Sequence, residues 1–191
     1  MKFLKQDDIG GVCEILEKGK IAAVPTETVY GLAVKYDSHK GLDGLIKLKD
    51  RELGSGKYFA LMVARVEDME NYVEMSKEAS ELAQKHLPGE LTLVLPRKKS
   101  FNGYYFKELE EIGVRIPDNE FMLRLLRQAG PLAVTSANLR GEEPAKNSEE
   151  ASELEVGAVV IGEAGGSLPS TVARIVRDEV EVLRQGGLKI S

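Results

Sequence analysis

Three short apolar runs of this chain each stop at a proline: Ile21-Ala22-Ala23-Val24 at Pro25, Leu91-Thr92-Leu93-Val94-Leu95 at Pro96, and Gly113-Val114-Arg115-Ile116 at Pro117. Proline has no N–H to give to a sheet ladder, so a strand that reaches one ends there. Segments of helical period lie between these runs. Ile9, Val12, Cys13 and Leu16 recur at i, i+3, i+4 and i+7, as do Met122, Leu125, Leu126 and Ala129, and Leu42, Leu45 and Ile46 share a helix face at i, i+3 and i+4, with Lys49 at i+7. Short strands alternating with one-faced helices bury their apolar sides against each other, which predicts a layered α/β (α+β) fold. No internal repeat or low-complexity linker breaks the pattern, so residues 1–191 read as a single domain.

The same patterning predicts strands over 59–63, 132–134, 158–161, 172–176 and 180–183. Helices are expected over 67–73 and 76–86, a helix capped by Asp118, and one capped by Asn147 or Ser148 that runs through Leu154. Arg97-Lys98-Lys99 reads as a solvated loop.

Composition narrows the function classes. With 42% apolar and 30% charged residues the chain can bury a sizeable core, and no apolar run approaches the roughly 18 residues of a bilayer span. The start, Met1-Lys2-Phe3-Leu4-Lys5-Gln6-Asp7-Asp8, lacks the apolar segment of a signal peptide, so no membrane association and a cytoplasmic setting are expected. Cys13 is the only cysteine and sits on an apolar helix face, which favours a packing role. His39 and His86 form neither a triad nor a pair at ligand spacing, so a serine hydrolase and a protein-held metal centre are not expected. A net charge of −5 argues against a general nucleic-acid coat but allows a local basic pocket.

Three predicted strand ends deliver hydroxyls: Thr26 and Thr28 after Pro25, then Thr135, Ser136 and Asn138, then Ser170 and Thr171. Cations stand in similar positions at Lys49, Arg51, Arg115 and Arg184. If these groups converge, they suit a nucleoside triphosphate and a small polar acid. Each also has a plainer reading: Thr26 or Thr28 capping a turn, Lys49 and Arg51 complementing a helix dipole, Arg115 pairing with a surface carboxylate, and Ser136 and Asn138 satisfying a turn. No side chain stands out as an acid, base or nucleophile, which favours catalysis by positioning and charge stabilisation.

Read in order, Pro25-Thr26-Glu27-Thr28-Val29-Tyr30-Gly31-Leu32, Lys49-Asp50-Arg51, Pro88-Gly89-Glu90-Leu91-Thr92-Leu93-Val94, Val114-Arg115-Ile116-Pro117-Asp118, Ser136-Ala137-Asn138-Leu139, Pro169-Ser170-Thr171-Val172 and Leu183-Arg184-Gln185-Gly186 resemble the YrdC/TsaC-like threonylcarbamoyl-AMP synthase family in its short form. The resemblance implies a twisted mixed sheet flanked by helices around a concave electropositive cavity. It implies an enzyme that joins L-threonine, bicarbonate and ATP, with Mg²⁺ on the nucleotide, into threonylcarbamoyl-adenylate and pyrophosphate. The product serves threonylcarbamoyl-adenosine modification of tRNA, so tRNA or tRNA-modification enzymes are implied partners. By resemblance, Thr28, Arg115 and Ser170 would bind L-threonine. Lys49, Arg51, Ser136, Asn138 and Arg184 would bind ATP, with Lys49 and Arg51 also the catalytic cations. The chain departs from the family pattern over Arg51–Met62: the proline after the arginine is missing, the loop is longer, and Met62 occupies a histidine position.

Two further readings compete. One is a non-catalytic RNA-binding module built on the Lys47, Lys49 and Arg51 cluster. The other is a carbamoyl-adenylate-handling module like the related domain of hydrogenase-maturation proteins.

Overall fold

A computed structural model describes residues 1–50, 59–176 and 179–190. In chain order these form β1 (Lys2–Leu4), α1 (Ile9–Glu17), β2 (Ala22–Val24), β3 (Gly31–Lys35), α2 (His39–Leu48), β4 (Ala60–Met62), α3 (Val66–Met69) and α4 (Lys77–His86). They continue with β5 (Leu91–Pro96), β6 (Glu111–Arg115), α5 (Glu120–Ala129), β7 (Leu132–Ser136), α6 (Ser148–Ala151), β8 (Ala158–Val160), β9 (Thr171–Val176) and β10 (Glu179–Arg184). The strands make one mixed sheet of order β1-β8-β2-β3-β7-β4-β6-β5-β9-β10. The mixed α/β architecture expected from the sequence is what forms.

Side chains alternate across a strand, so the sheet has two separate faces. One carries Leu32, Val34, Leu61, Leu93, Val114 and Ala133, and it is covered along its length by residues of α2, α3, α4 and α6 and by Phe101, Tyr105 and Phe106. On the other face, α1 and α5 pack over Ala22, Val24, Ala33, Leu132, Val134, Ala158 and Val160, with Met62 of β4 at the edge of this cluster. Beyond those helices the same face continues through Ala60, Thr92, Val94, Gly113, Arg115 and Val172, which line a cavity. The helices thus close one half of this face and leave the other half as a floor.

Local rules account for most elements. Asp8, Ser38, Ser76, Asn119 and Asn147 each accept a backbone N–H in the first turn of α1, α2, α4, α5 and α6. The α5 cap is Asn119, not Asp118: α5 starts at Glu120, so the side chain that accepts the Met122 N–H, at 3.0 Å, is that of Asn119, while the Asp118 N–H donates to the Glu27 carboxylate at 2.9 Å. The helix expected over 67–73 is confined to α3, since Val73 leaves it to bridge Arg97. Asn147 caps α6, but this helix stops at Ala151, short of Leu154. Arg97 is not a solvated cation: its guanidinium donates to the carbonyls of Leu109, Lys98 and Phe101 and closes the 97–109 loop. Cys13 is partly buried on α1, as the apolar periodicity predicts, and burial pushes its thiol pKa up. No described helix is long and apolar enough to cross a membrane.

Candidate functional site

The turn after β2 begins at Pro25, and its hydroxyls are committed in sequence. Thr26 Oγ1 donates to the Val29 carbonyl at 2.7 Å and accepts the Thr28 N–H at 3.1 Å. Its proton being used, the 2.9 Å contact between the two threonine hydroxyls runs from Thr28 to Thr26. Thr28 Oγ1 in turn accepts from Arg115 Nη2 at 3.0 Å. Thr26 is therefore the turn former, and Thr28 keeps one lone pair, which makes it an acceptor for any ligand. Tyr30 is fully buried, its hydroxyl donating to the Val160 carbonyl at 2.8 Å and its pKa pushed up to about 12 by burial. That phenol locks the turn to β8.

Arg115 ends β6 at the far wall of the turn. It is only 4% exposed, and its Nη2 meets Glu27 Oε1 at 2.7 Å while its Nε donates to the Gly89 carbonyl at 3.3 Å. The carboxylate that pairs with it is thus a partly buried one from the turn itself, not a surface group. Glu27 Oε2 is sealed from solvent without a partner among the described residues. A loop holds this turn from behind. Gly165 N and Gly166 N donate to the carbonyls of Thr26 and Thr28, and a Cβ on Gly165 would come within 2.8 Å of the Glu27 carbonyl oxygen. Only glycine fits there without moving the turn.

Ser136 ends β7, and its hydroxyl donates to Asn138 Oδ1 at 2.6 Å. The Lys49 ammonium donates to the same oxygen at 2.7 Å, to the Asn138 carbonyl at 2.6 Å and to the Ser136 carbonyl at 3.0 Å. Lys49 follows α2 and precedes Asp50, whose left-handed φ of 45° terminates the helix. At 4% exposure it stands behind the cavity wall and shapes the Ser136–Asn138 turn, so it is not a surface cation of the kind an RNA-binding cluster needs. Arg51 and Lys57 lie outside the described residues.

Ser170 lies just before β9, and its hydroxyl is 2.8 Å from that of Thr92 on β5. Arg184, the last residue of β10, donates through Nη2 to the Ser170 carbonyl at 2.7 Å and to its hydroxyl at 3.2 Å. Burial of its head and the nearby Arg115 charge push the Arg184 pKa below the usual arginine range.

Thr28, Arg115, Ser136, Ser170 and Arg184 line one cavity of about 600 Å³, five of the sites expected from the sequence. Asn138 and Lys49 sit one step behind it, linked through Ser136. Met62 also lines it, on the strand beside Arg115. One lining residue, Thr92, and one ion pair behind the lining, Glu27–Arg115, were missed from sequence. Thr92 carried a signal, a polar residue alternating with Leu91 and Leu93 inside a motif, whereas the Glu27–Arg115 pair spans 88 positions and leaves no local trace. Neither histidine lines the cavity; His39 is exposed and stacks on Tyr104 at 3.9 Å.

Comparison with known proteins places this geometry. The profile of the Sua5/YciO/YrdC family, described as telomere recombination, matches residues 14–186. The threonylcarbamoyl-AMP synthase of Photobacterium profundum is 30% identical over 94% of this chain and the whole of that relative. The threonylcarbamoyl-AMP synthase of Mus musculus is 37% identical over 73% of this chain, and the match spans only 49% of the mouse protein. The crystal structure of P. abyssi Sua5 complexed with L-threonine superposes with a TM-score of 0.88 at 27% identity, covering 98% of this chain and 57% of that one.

Proposed function

This chain belongs to the Sua5/YciO/YrdC family, and from that premise we propose that it is an L-threonylcarbamoyladenylate synthase, a nucleotidyltransferase that uses ATP. The observation that carries the reading is the meeting of Thr28, Arg115, Ser136, Ser170 and Arg184 on one cavity large enough for both substrates.

L-Threonine binds at the Pro25–Tyr30 turn. Arg115 takes its carboxylate through guanidinium donors that Glu27 keeps aimed, Thr28 Oγ1 accepts a hydrogen bond from its ammonium or hydroxyl group, and Ser170 lies beside it. ATP extends along the Ser136–Asn138 turn towards Arg184, with Arg51 as the catalytic cation of the phosphate region; Lys49, expected from the sequence in the same role, commits its ammonium to the Ser136 and Asn138 oxygens and positions that turn instead. The amine of threonine adds to the carbon of bicarbonate and water leaves, giving a carbamate. A carbamate oxygen attacks the α-phosphorus, the bond to the β-phosphate oxygen breaks, and pyrophosphate departs with its electron pair. No protein nucleophile is needed. The chain holds two anions together and offsets charge on the leaving group, which fixed cations at a desolvated wall do well.

Mg²⁺ would arrive with the triphosphate, coordinated by its phosphate oxygens. When bound it neutralises phosphate charge. The product would pass to a tRNA-modification enzyme in the cytoplasm.

Purified protein incubated with ATP, Mg²⁺, L-threonine and ¹⁴C-bicarbonate should release pyrophosphate and form labelled adenylate only when threonine is present. Absence of threonine-dependent product would sink the proposal.

A further inference from the structure

Arg115 has unlike neighbours across the sheet. On β5 the residue opposite it is Thr92, one step from the Leu93–Val114 register pair, and the Thr92 hydroxyl is 2.8 Å from that of Ser170. On β4 its register partner is Met62, which pairs in turn with Leu132 of β7. Register partners project from the same face of a sheet, so the Met62 side chain rises next to that of Arg115.

Met62 stands on the seam between the roofed and the open half of the face. It lines the cavity, yet it is 3% exposed and belongs to the packed cluster that holds Phe121 and Met122 of α5. Its side chain is therefore anchored in the roof packing while part of it meets the cavity. A thioether has no proton to give and accepts only weakly, so what Met62 offers a ligand is dispersion contact. Ala60 and Val134, register partners on β4 and β7, continue this apolar wall. An amino acid with its carboxylate on Arg115 thus meets the hydroxyls of Thr28, Thr92 and Ser170 with its polar substituents and a single apolar wall with the rest. In threonine the rest is the methyl group on Cβ.

We infer that Met62 is a specificity-determining residue of the amino-acid site, its thioether packing against the β-methyl group of the substrate and so selecting threonine over serine. The inference rests on the proposed seating of threonine on Arg115 and is independent of the adenylation step that follows. An apolar wall of this kind separates two ligands that differ by one methyl group by about tenfold or more. Met62 supplies that contact without a hydrogen bond, so the amine and hydroxyl groups of threonine are left to the polar side of the site.

The test is titration calorimetry of L-threonine and of L-serine with α,β-methylene-ATP present, a nucleotide whose α,β bridge does not cleave. The unaltered protein should bind threonine about tenfold or more tighter than serine. Met62→Ala should weaken threonine about tenfold and leave serine within about twofold, which collapses the ratio. Met62→Leu, a swap of nearly equal volume, should hold the ratio within about threefold of the unaltered protein. Thermal melts show which variants fold, and Met62→Val reads the same ratio if Met62→Ala does not fold. Equal weakening of both amino acids marks Met62 as a packing residue alone and overturns the inference. A ratio untouched by Met62→Ala overturns it too, as does equal affinity for threonine and serine in the unaltered protein. Binding of neither amino acid overturns it together with the threonine site. Selective threonine binding without threonine-dependent adenylate leaves it standing and rejects only the proposed reaction.

Discussion

One face of the sheet is two regions in one. Over β8, β2, β3 and β7 it is roofed by α1 and α5 and filled with Ala, Val and Leu. Over β4, β6, β5 and β9 the same face carries Ala60, Gly113, Thr92, Arg115 and Val172 and opens into the cavity. Both halves obey one alternation, so the strand pattern alone does not separate them. The roofed half answers mainly to packing. The open half keeps small residues where volume is needed and polar ones where a ligand is to be met.

The sharpest way to break this division is Arg115→Ala. Its guanidinium is in the open half, yet removing it leaves the mostly buried Glu27 carboxylate without its counter-charge, held only by the Asp118 N–H. The expected loss is about 3–5 kcal/mol of unfolding free energy together with threonine binding. Chemical denaturation and threonine titration read the two effects separately. The double variant Glu27→Gln with Arg115→Met should recover much of the stability and none of the binding.

Leu125→Ala tests the roofed half. Leu125 is fully buried in α5, and its truncation should cost about 2–5 kcal/mol with substrate KM values unchanged below the melting temperature. A large KM change would show that the roof shapes the floor.

Gly165→Ala acts on the turn from outside either half. The new methyl group meets backbone, not a movable side chain, so about 1–3 kcal/mol of stability should be lost and the KM for threonine should rise more than that for ATP.

The smallest expected effect lies away from the cavity. Burial first, and the Lys85 charge second, lower the His86 pKa from its ordinary 6.5. The folded state therefore binds this proton more weakly than the unfolded one, and stability is lost as pH falls below about 6.5. The fall in melting temperature between pH 7.5 and pH 5.5 should be shallower in His86→Gln than in the unaltered protein, with activity at pH 7.5 the same in both.

Much of this was legible in the chain. Pro25, Pro96 and Pro117 placed strand ends to within a residue or two, and helix periodicity located α1, α2 and α5. Thr28 stood out from its neighbours because the motif surrounds it, and the structure puts it on the cavity wall with Arg115, Ser136, Ser170 and Arg184. Errors fell where a distant partner overrides a local preference. Asp118 is a good cap by type, but its backbone is tied through its N–H to Glu27, 91 positions earlier, the helix starts one residue later, and Asn119 caps it. Arg97 looked solvated because nothing near it in sequence shows the carbonyls of the 97–109 loop.

The sequence by itself determined the alternation of strand and helix, the strand stops, most of the caps and the residue types that the proposed phosphate and amino-acid site requires, because these depend on neighbours within a few positions. Tertiary structure alone decided which half of the sheet face stays open, that Arg115 is neutralised by Glu27 while Arg184 meets no carboxylate among the described residues, and that Thr92 stands beside Ser170. Those outcomes depend on strands brought together from positions as far apart as 92 and 170, and only the folded sheet sets the distances that charge pairing and hydrogen bonding require.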